Sequence, residues 1–442
     1  MQRDAPMTRR QPTHTGIVII GGGVAGVSAA LFLAESGISC VLCEKGRIAG
    51  EQSSRNWGWI RKQGRDFAEL PLMLESARLW ERVAGELDED IGYRQGGSTY
   101  LADSADELAQ RNAWLEKARS FGVDTQLLDA SQTRHLLDNT SAPFPGALHT
   151  PSDAYAEPAR AVPAIARLAT HKGAMLLENT AVRALVREAG HVRGVITEQG
   201  VIHADGVILA GGIWSRTLLE NEGVSFPQLA VRASALRTTA APVIASSTFG
   251  ASGASVRPRL DGGYTIGRTG AAGVEIIPAS FRHLGAFLPM IRQRWRILRL
   301  SFGPSFFGPL GYQRWSPDRA SPFEWIRTMN PTPDAQLLDS VMERARDIYP
   351  QLSQSRIAES WAGMIDVMPD EVCTVGELPE LPGLVLATGL SGHGFGLGPG
   401  VGMLAAQLVT NGDSIVESSN LSPTRFRKSL RRHTTQPSPP TR

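Results

Sequence analysis

The chain has 442 residues, of which 42% are hydrophobic and 20% charged, an ordinary composition for a globular protein of two domains or one large α/β unit. Its 45 Lys and Arg residues nearly balance 43 Asp and Glu residues, and the net charge of +2 excludes nucleic-acid binding through overall positive charge. Cys40, Cys43 and Cys373 are too few for a disulfide framework or a four-cysteine zinc site, and the first two are typical of a buried strand. With no secretory signal and no apolar run of about eighteen residues, we expect a cytoplasmic protein.

The first predicted unit is a βαβ unit over residues 15–46, TGIVIIGGGVAGVSAALFLAESGISCVLCEKG. Gly21, Gly23 and Gly26 form G-x-G-x-x-G between strand and helix, where they allow a tight turn, close approach of a pyrophosphate and helix packing. Glu44 ends the second strand and can accept hydrogen bonds from ribose hydroxyls. The unit predicts a dinucleotide site and disfavours NADP, but it separates NAD from FAD less firmly.

The next segment, GEQSSRNWGW at residues 50–59, favours FAD, because a nicotinamide dehydrogenase would continue with further strands and helices. Ser53 and Ser54 can donate to pyrophosphate oxygens, Arg55 can neutralise phosphate charge, and Asn56 can reach a flavin edge. The alternative is an irregular surface loop, which the neighbouring tryptophans disfavour.

Two more units, starting at Asp205 and Pro382, run from an apolar strand through glycines into a helix. Residues 231–355 instead predict alternating strands and a helical stretch, FRHLGAFLPMIRQRWRILRL. We therefore expect an α/β fold with a Rossmann-like FAD-binding domain (15–95, 150–230 and 355–415) and an interleaved antiparallel-sheet α+β substrate domain (96–149 and 231–354). Residues 1–14 and 420–442 are expected to be disordered tails.

With these motifs assembled, the chain resembles the FAD-dependent amino-acid and amine oxidoreductases of the D-amino-acid oxidase superfamily, which includes glycine oxidase, sarcosine oxidase and D-amino-acid dehydrogenases. The resemblance covers about residues 15–408 and rests on GGGVAG with Glu44, SSRN, AGGIWS, MPDEVCTVGE and ATGLSGHGFGLGPG. It implies FAD extended across one domain, with substrate above the flavin under a large antiparallel sheet.

The residues that the motifs and the resemblance together assign to FAD contact the pyrophosphate, ribose, adenine or flavin. They are Gly21, Gly23, Val24, Ala25, Gly26, Glu44, Lys45, Ser53, Ser54, Arg55, Asn56, Val182, Ala210, Gly211, Trp214, Gly392, His393, Gly394, Phe395, Gly396 and Leu397. The helix beginning near Pro399 would stabilise negative charge on the reduced flavin. A satisfied structural histidine is as good an interpretation of His393 as a proton-transfer group.

The resemblance implies oxidation of an amino acid or secondary amine. A hydride passes from the α-carbon to flavin N5, and water hydrolyses the resulting imine. Sarcosine oxidases attach their flavin through a cysteine where this chain has Gly363, so we expect non-covalent FAD. They also bind substrate carboxylate through a lysine where this chain has Gly396. No side-chain base is strictly needed, so no catalytic residue is assigned.

Arg61 is the main candidate for binding a substrate carboxylate, since a guanidinium can clamp it with two hydrogen bonds. The alternative is a surface arginine that caps the helix starting near Asp66. Arg268 and Arg314 are further candidates, and the aromatic candidates for the pocket wall are Tyr264, Tyr312 and Trp361. These aromatics are equally typical of an ordinary core.

Residues 281–315 concentrate arginines among large apolar side chains, and the amphipathic stretch RQRWRILRL can contact a membrane surface or a partner subunit, or be the solvated face of a domain helix. One alternative function is therefore a flavin-bearing subunit of a heteromeric amine, opine or proline dehydrogenase. The other is an NAD(P)H-dependent flavin monooxygenase. No metal is expected, and the oligomeric state is left open.

Overall fold

The computed structural model describes residues 10–137, 140, 143–295, 298–311 and 314–426. These residues form strands in the following order: β1 (His14–Ile20), β2 (Cys40–Cys43), β3 (Trp59–Ile60), β4 (Ser98–Ala102), β5 (Gln126–Asp129), β6 (Gly146–Thr150), β7 (Ala154–Tyr155), β8 (Met175–Leu177), β9 (Val182–Glu188), β10 (His191–Thr197), β11 (Gly200–Leu209), β12 (Leu229–Thr238), β13 (Thr248–Ala251), β14 (Ala254–Pro258), β15 (Tyr264–Gly267), β16 (Ala272–Glu275), β17 (Leu298–Ser301), β18 (Ile357–Val367), β19 (Thr374–Glu377) and β20 (Leu384–Thr388).

The helices lie between these strands and after the last of them: α1 (Val24–Glu35), α2 (Gln52–Arg55), α3 (Leu70–Glu86), α4 (Ala105–Ala118), α5 (Ala130–Leu136), α6 (Pro158–His171), α7 (Ser215–Asn221), α8 (Pro278–Arg282), α9 (Leu284–Arg294), α10 (Pro322–Trp325), α11 (Ala335–Ile348) and α12 (Gly394–Val409). Among the described residues, no helix is long and apolar enough to cross a membrane.

The first sheet has the strand order β19-β20-β11-β1-β2-β8, and off this path β10 pairs with β11 and β9 pairs with β10. Its centre is parallel: β1 pairs with β11 and β2, and β11 with β20. Ile17 and Ile19 pack on the side of α1, α6 and α12, whereas Val18 and Ile20 pack into a second core on the opposite face. Because core residues cover both faces of the sheet, its central strands are continuous runs of apolar residues.

The cysteines of β2 belong to this buried sheet. Cys40 and Cys43 lie on opposite faces of the strand, each is buried, and all three cysteines of the chain are free thiols. Burial raises the pKa of both β2 thiols to about 12. This agrees with the prediction that they serve as small apolar residues.

The second sheet has ten strands in the order β17-β16-β12-β15-β14-β13-β4-β6-β5, with β18 paired to β12. Most neighbours are antiparallel, and α11 packs on one face around Leu338, Val341 and Ile348. The predicted fold class is therefore confirmed: a parallel α/β sheet is combined with an antiparallel sheet that draws strands from two separate stretches of sequence.

Three segments differ from the expected organisation. Strand β18 pairs with β12 in the second sheet, although its residues were expected in the FAD-binding domain. Residues 419–426, placed almost wholly in the expected tail, form two short 3₁₀ helices; Leu421 is buried and Arg425 pairs with Asp370 at 2.8 Å. The stretch RQRWRILRL is not one helix, because α9 ends at Arg294 and β17 begins at Leu298.

Candidate cofactor and substrate site

A large cavity lies at the carboxyl edge of the first sheet, where parallel α/β sheets bind ligands. The ends of β1, β2, β11 and β20 contribute to its wall together with α2, and the N-termini of α1 and α12 both reach it. Of the residues that the sequence assigned to FAD, those that line the cavity are Gly21, Gly23, Val24, Ala25, Glu44, Lys45, Ser53, Asn56, Val182, Ala210, Gly211, Trp214, Gly392, Gly394 and Phe395.

The turn between β1 and α1 depends on its glycines. Gly21 has a φ of 110°, and a Cβ atom there would lie 2.5 Å from the carbonyl oxygen of Ala210. A Cβ at Gly26 would lie 2.0 Å from the carbonyl oxygen of Gly21, so Gly26 serves helix packing and does not line the cavity. Gly23 is the N-cap of α1 and leaves the first turn of the helix open to a ligand.

Ser53 and Glu44 border this helix N-terminus. Ser53 Oγ accepts a hydrogen bond from the Val24 N–H at 2.9 Å. Glu44 accepts one from Gly22 N–H through Oε2 and one from Gly46 N–H through Oε1, both at 2.7 Å. Burial raises the pKa of Glu44, while these two hydrogen bonds oppose the rise. The carboxyl group is thus fixed at the end of β2, with the remaining lone pairs of each oxygen able to accept ligand hydroxyls.

Glu51 organises the opposite wall and was not identified from the sequence. Its Oε1 atom accepts hydrogen bonds from Lys45 Nζ at 2.6 Å and from Met329 N–H at 2.9 Å, and its Oε2 atom accepts one from Trp214 Nε1 at 3.0 Å. Lys45 Nζ also lies 4.6 Å from the centroid of the Trp214 ring. The ammonium group and the indole ring are therefore held together at the cavity wall.

Helix α2 carries the SSRN motif, and its four residues have different environments. Ser53 and Asn56 line the cavity, whereas Ser54 and Arg55 do not. Ser54 Oγ donates to the Glu51 carbonyl at 3.2 Å. Asn56 Nδ2 donates to the Ser53 carbonyl at 3.0 Å, and its Oδ1 accepts from Gly58 N–H at 2.8 Å, which fixes the chain after the helix.

The expected role of Arg55 as a phosphate partner does not match its contacts. Its guanidinium donates to the carbonyl oxygens of Met329 at 2.7 Å, Ala362 at 3.2 Å and Gly50 at 2.9 Å, and to the side chain of Asn330. Arg55 thus connects α2 with β18 and with the segment before α11. The sequence near Arg55 does not reveal these contacts, because three of the acceptors belong to residues about 300 positions away in the chain.

The other end of the cavity is formed by residues 388–395. Gly394 and Phe395, in the first turn of α12, line it, and His393 is the N-cap without a capping side-chain hydrogen bond. Gly396 and Leu397 do not line it: a Cβ at Gly396 would lie 3.3 Å from the carbonyl oxygen of Trp59, and Leu397 is in the core. The helix end therefore presents backbone N–H groups to the cavity.

Asp366, at the end of β18, holds this segment in place and was also missed by the sequence reasoning. Its buried Oδ2 atom accepts hydrogen bonds from Gly389 N–H at 2.7 Å, Leu390 N–H at 3.2 Å and Gln228 Nε2 at 3.2 Å. Burial raises the pKa of Asp366, and the backbone hydrogen bonds oppose the rise. The available signal was an aspartate four residues before the Asp of the MPDE motif, which is too common a feature to single out.

His393 is half-buried and paired with a carboxyl group. Its Nδ1 lies 3.0 Å from Oε2 of Glu69, which is fully buried and also accepts from Cys373 N–H at 2.7 Å. Burial and the positive charge of Arg65 lower the pKa of His393, while Glu69 acts in the opposite direction. Because the Glu69 carboxylate accepts at Nδ1, that nitrogen carries a proton.

Three aromatic side chains and Arg61 contact one another in a cluster that follows Asn56 in the chain and is not part of the cavity lining. Trp57 and Trp59 are in edge contact with ring centroids 6.1 Å apart, and Trp59 contacts Tyr100 at 5.6 Å. The Arg61 guanidinium lies 4.9 Å from the centroid of Tyr100 and donates to the carbonyl oxygen of Gln63. Arg61 does not cap a helix, since α3 begins at Leu70 with Glu69 as its N-cap.

The remaining substrate candidates lie in other environments. Tyr264 is in the core on one face of β15, where its hydroxyl accepts from Ile244 N–H at 2.8 Å. Gly267, three residues later on the opposite face, is the residue of this strand that meets the Trp57 indole. Arg268 and Arg314 are exposed, and Tyr312 lies outside the described residues. Trp361 is half-buried and donates from Nε1 to the Arg55 carbonyl at 2.8 Å.

The cavity has features that suit FAD. Gln52 lines it, and the side-chain oxygen of Gln52 is buried without a hydrogen-bond partner among the described residues. A Cβ at Gly363 would lie 2.0 Å from this atom, so a side chain there would displace Gln52. Met364, Ile365 and Leu390 give the α12 end an apolar wall suited to an aromatic ring system.

Comparisons with known proteins identify the family of this chain. Residues 16–408 match the family model described as FAD dependent oxidoreductase. The 4-methylaminobutanoate oxidase (formaldehyde-forming) of Paenarthrobacter nicotinovorans is 27% identical over 94% of this chain and 46% of its own length, so the chain spans about half of that relative. Glycine oxidase of Geobacillus kaustophilus strain HTA426 is 25% identical over 92% of this chain and 96% of its own length.

Among solved structures, L-amino acid deaminase from Proteus myxofaciens in complex with anthranilate is similar, with a TM-score of 0.89, 29% identity and coverage of 94% of each chain. The extent of the family match confirms the resemblance inferred from the motifs around Gly21 and His393. The chain therefore belongs to the FAD dependent oxidoreductase family.

Proposed function

We propose that this protein binds FAD non-covalently in the cavity and oxidises an amino acid or a secondary amine to the imine, which water then hydrolyses. The observation that carries the proposal is the convergence of two helix N-termini, those of α1 and α12, with Glu44 on one cavity. When bound, FAD supplies the acceptor for the hydride that leaves the carbon next to nitrogen.

The residues at the β1–α1 turn would hold the nucleotide half of FAD. The N-terminus of α1 offers N–H groups and a positive dipole end to the pyrophosphate, as Gly23 leaves room for it. Glu44 would accept hydrogen bonds from the ribose hydroxyls, and Val182, which lines the cavity at the start of β9, would contact the adenine. Arg55 has no part in this assignment, because its guanidinium is occupied by protein carbonyl groups.

The N-terminus of α12 would hold the flavin half. Its first-turn N–H groups at Gly394 and Phe395 would stabilise negative charge at the pyrimidine edge, and Asp366 fixes the preceding turn so that these groups need not reorganise. His393 pairs with Glu69 and is not among the residues that line the cavity, so we assign it a structural role.

Trp57, Trp59 and Tyr100 would exclude water from the substrate and favour an apolar side chain. Arg61 would bind the carboxylate, because its stacking on Tyr100 presents a planar, charged donor group with little conformational freedom left to lose. The substrate class that fits best is thus an amino acid with a free carboxylate and a sizeable apolar side chain.

The test is an anaerobic screen of D-amino acids, L-amino acids and N-alkyl amines for bleaching of the flavin absorbance in the purified holoenzyme. If no amine bleaches it, the proposal is wrong. With the best substrate, Arg61→Ala should raise KM by about ten- to a hundredfold, since losing a hydrogen bond to a charged group costs about 1.5–3 kcal/mol. Arg268→Ala, at an exposed arginine after β15, is the matched control and should leave KM unchanged. An equal effect of both substitutions would contradict the role of Arg61.

A further inference from the structure

One surface helix of this protein is apolar on the side that faces solvent. Phe281, Leu284, Leu288 and Trp295, here called the outer face, are 63%, 49%, 38% and 65% exposed. Their spacing of three, four and seven residues places them along one side of a helix. Helices α8 and α9 follow each other with only His283 between them, so the outer face is nearly continuous.

The opposite side of the same helices attaches to the protein. Ala279, His283 and Phe287, spaced by four residues, are buried, and Arg282 pairs with Glu220 of α7 at 2.5 Å. The contact with the rest of the protein is therefore already complete without the outer face. A helix that only shields a core from water would carry polar residues along its whole solvent side, whereas the exposed positions of α9 from Leu284 to Pro289 carry none. The exposed polar residues, at positions 292–294, come only in its last turn.

The apolar surface continues beyond the helix. Leu300, Phe302 and Phe307 are 64%, 68% and 80% exposed, and they follow or belong to β17, which is the last strand at one edge of the second sheet. Seven of the thirteen large hydrophobic side chains that are exposed in the described part of the chain lie between residues 281 and 307. Isolated exposed hydrophobic residues are normal, but this concentration within one segment is not.

The charge of the segment is strongly one-sided. Six arginines and no aspartate or glutamate lie between Glu275 and Asp318, although the whole chain has a net charge of only +2. Arg292 is exposed one turn after Leu288, beside the outer face. Arg294 and Arg299 reach acidic residues outside the segment, Glu371 and Asp334, in ion pairs that remain solvent-exposed.

We propose that the outer face, together with the exposed residues of 298–307, docks this protein on an anionic lipid bilayer. A row of Phe, Leu and Trp along a surface helix can enter the interfacial region, and the exposed side chains of Arg292, Arg294 and Arg299 can meet anionic headgroups. Trp295 at the end of the row is the residue type enriched at membrane interfaces. The protein lies on the surface of the bilayer in this arrangement and does not span it.

The test is sedimentation of the full-length holoenzyme with vesicles of phosphatidylcholine alone or mixed with phosphatidylglycerol. We expect binding to the mixed vesicles, weaker binding to phosphatidylcholine, and a loss of the difference when salt rises from about 0.1 M to about 1 M. Leu284→Ser with Leu288→Ser should weaken binding at least about tenfold, because each substitution removes several buried methylene equivalents. Val243→Ser with Val201→Ser, at two exposed valines elsewhere, should bind like the wild type.

Measuring the oligomeric state of the same variants shows whether a second copy of the protein, and not a bilayer, covers this surface. If the wild type stays in the supernatant with the mixed vesicles, or if the leucine variant binds as well as the wild type, the proposal is overturned. If the wild type is a dimer that the leucine substitutions dissociate, the surface is covered by a second copy and the proposal is likewise overturned. Flavin absorbance of both variants shows that each is folded around FAD and makes any loss of vesicle binding specific.

Discussion

Replacing Gly402 with alanine tests how the two helices that face the cofactor cavity are held together. Helices α1 and α12 cross in direct contact, and a Cβ atom at Gly402 would lie 2.5 Å from Cβ of Ser28 and 2.6 Å from the backbone nitrogen of Ala29. Ordinary van der Waals contact begins at 3.4 Å. Because one obstacle is a backbone atom, no change of rotamer removes the clash, and the helices must separate by about 1 Å.

The cost of this separation can be estimated. Overpacking in a well-packed core costs about 1–3 kcal/mol, and the backbone clash favours the upper end of that range. Alanine returns about 1 kcal/mol through its better helix propensity. We therefore expect Gly402→Ala to lower the free energy of unfolding by about 2 kcal/mol. Since the N-termini of both helices line the cavity, FAD affinity should fall as well, by about tenfold or more.

Urea unfolding of the apoprotein followed by circular dichroism measures the first effect, and recovery of free flavin fluorescence on dilution measures the second. The matched control is Gly85→Ala in α3, where an added Cβ meets no atom within 4 Å. That variant should be as stable as the wild type or up to about 1 kcal/mol more stable. The reasoning is refuted if Gly402→Ala unfolds at the same urea concentration as the wild type while it retains FAD equally well.

Two further predictions concern buried carboxyl groups. Burial alone would raise the pKa of Glu220, but its neighbours, among them Arg216 and Arg282, lower it to about 2. The ionised Glu220 therefore contributes about 3 kcal/mol to the free energy of unfolding above about pH 4.5, and this contribution is lost towards pH 2. In urea unfolding, Glu220→Gln should lower the free energy of unfolding more at pH 7 than at pH 3. Equal losses at the two pH values would contradict this. Burial lowers the pKa of His393, and the Glu69 carboxylate opposes that effect, so Glu69→Gln should lower the pKa of His393 further. Nuclear magnetic resonance of labelled histidine measures this pKa, and an unchanged or higher value would refute the pairing.

The nucleotide half of the site could be predicted because its parts are close in sequence. Gly21, Gly23 and Glu44 belong to one βαβ unit, and the geometry of that unit follows from the right-handed crossover between parallel strands. The glycine-rich segment at Gly394 and Phe395 was also assigned correctly to the cavity, but α12 begins at Gly394 and not near Pro399, which lies inside the helix. A motif within about 30 residues carries its own geometry, and the cavity is lined where the motifs predict.

Residues whose partners are distant in sequence could not be assigned in the same way. Arg55 follows two serines suited to phosphate, yet its acceptors come mainly from residues 329–362. A strand poses a similar problem. The alternation of side chains along β15 shows that Tyr264 and Gly267 face opposite sides of the sheet, but it does not show which side packs into the core. Gly398 and Gly402 allow α12 to contact α1, and the residues around them in the sequence do not indicate that distant partner.

The cofactor cavity is completed by the second sheet, and this couples the two halves of the protein. Strand β18 pairs with β12 from Leu229 opposite Val367 to Thr238 opposite Ile357, and that register brings Asp366 to the turn at Gly389. A slip of one residue would turn the Asp366 side chain to the other face of the sheet and leave the N–H groups that it accepts without a partner. Because β12 also pairs with β15, whose Gly267 lies against Trp57, the sheet that positions Trp57 also sets the geometry of the α12 end of the cavity. Substitutions that disturb the β12–β18 pairing should therefore weaken FAD binding even where they touch no residue of the cavity.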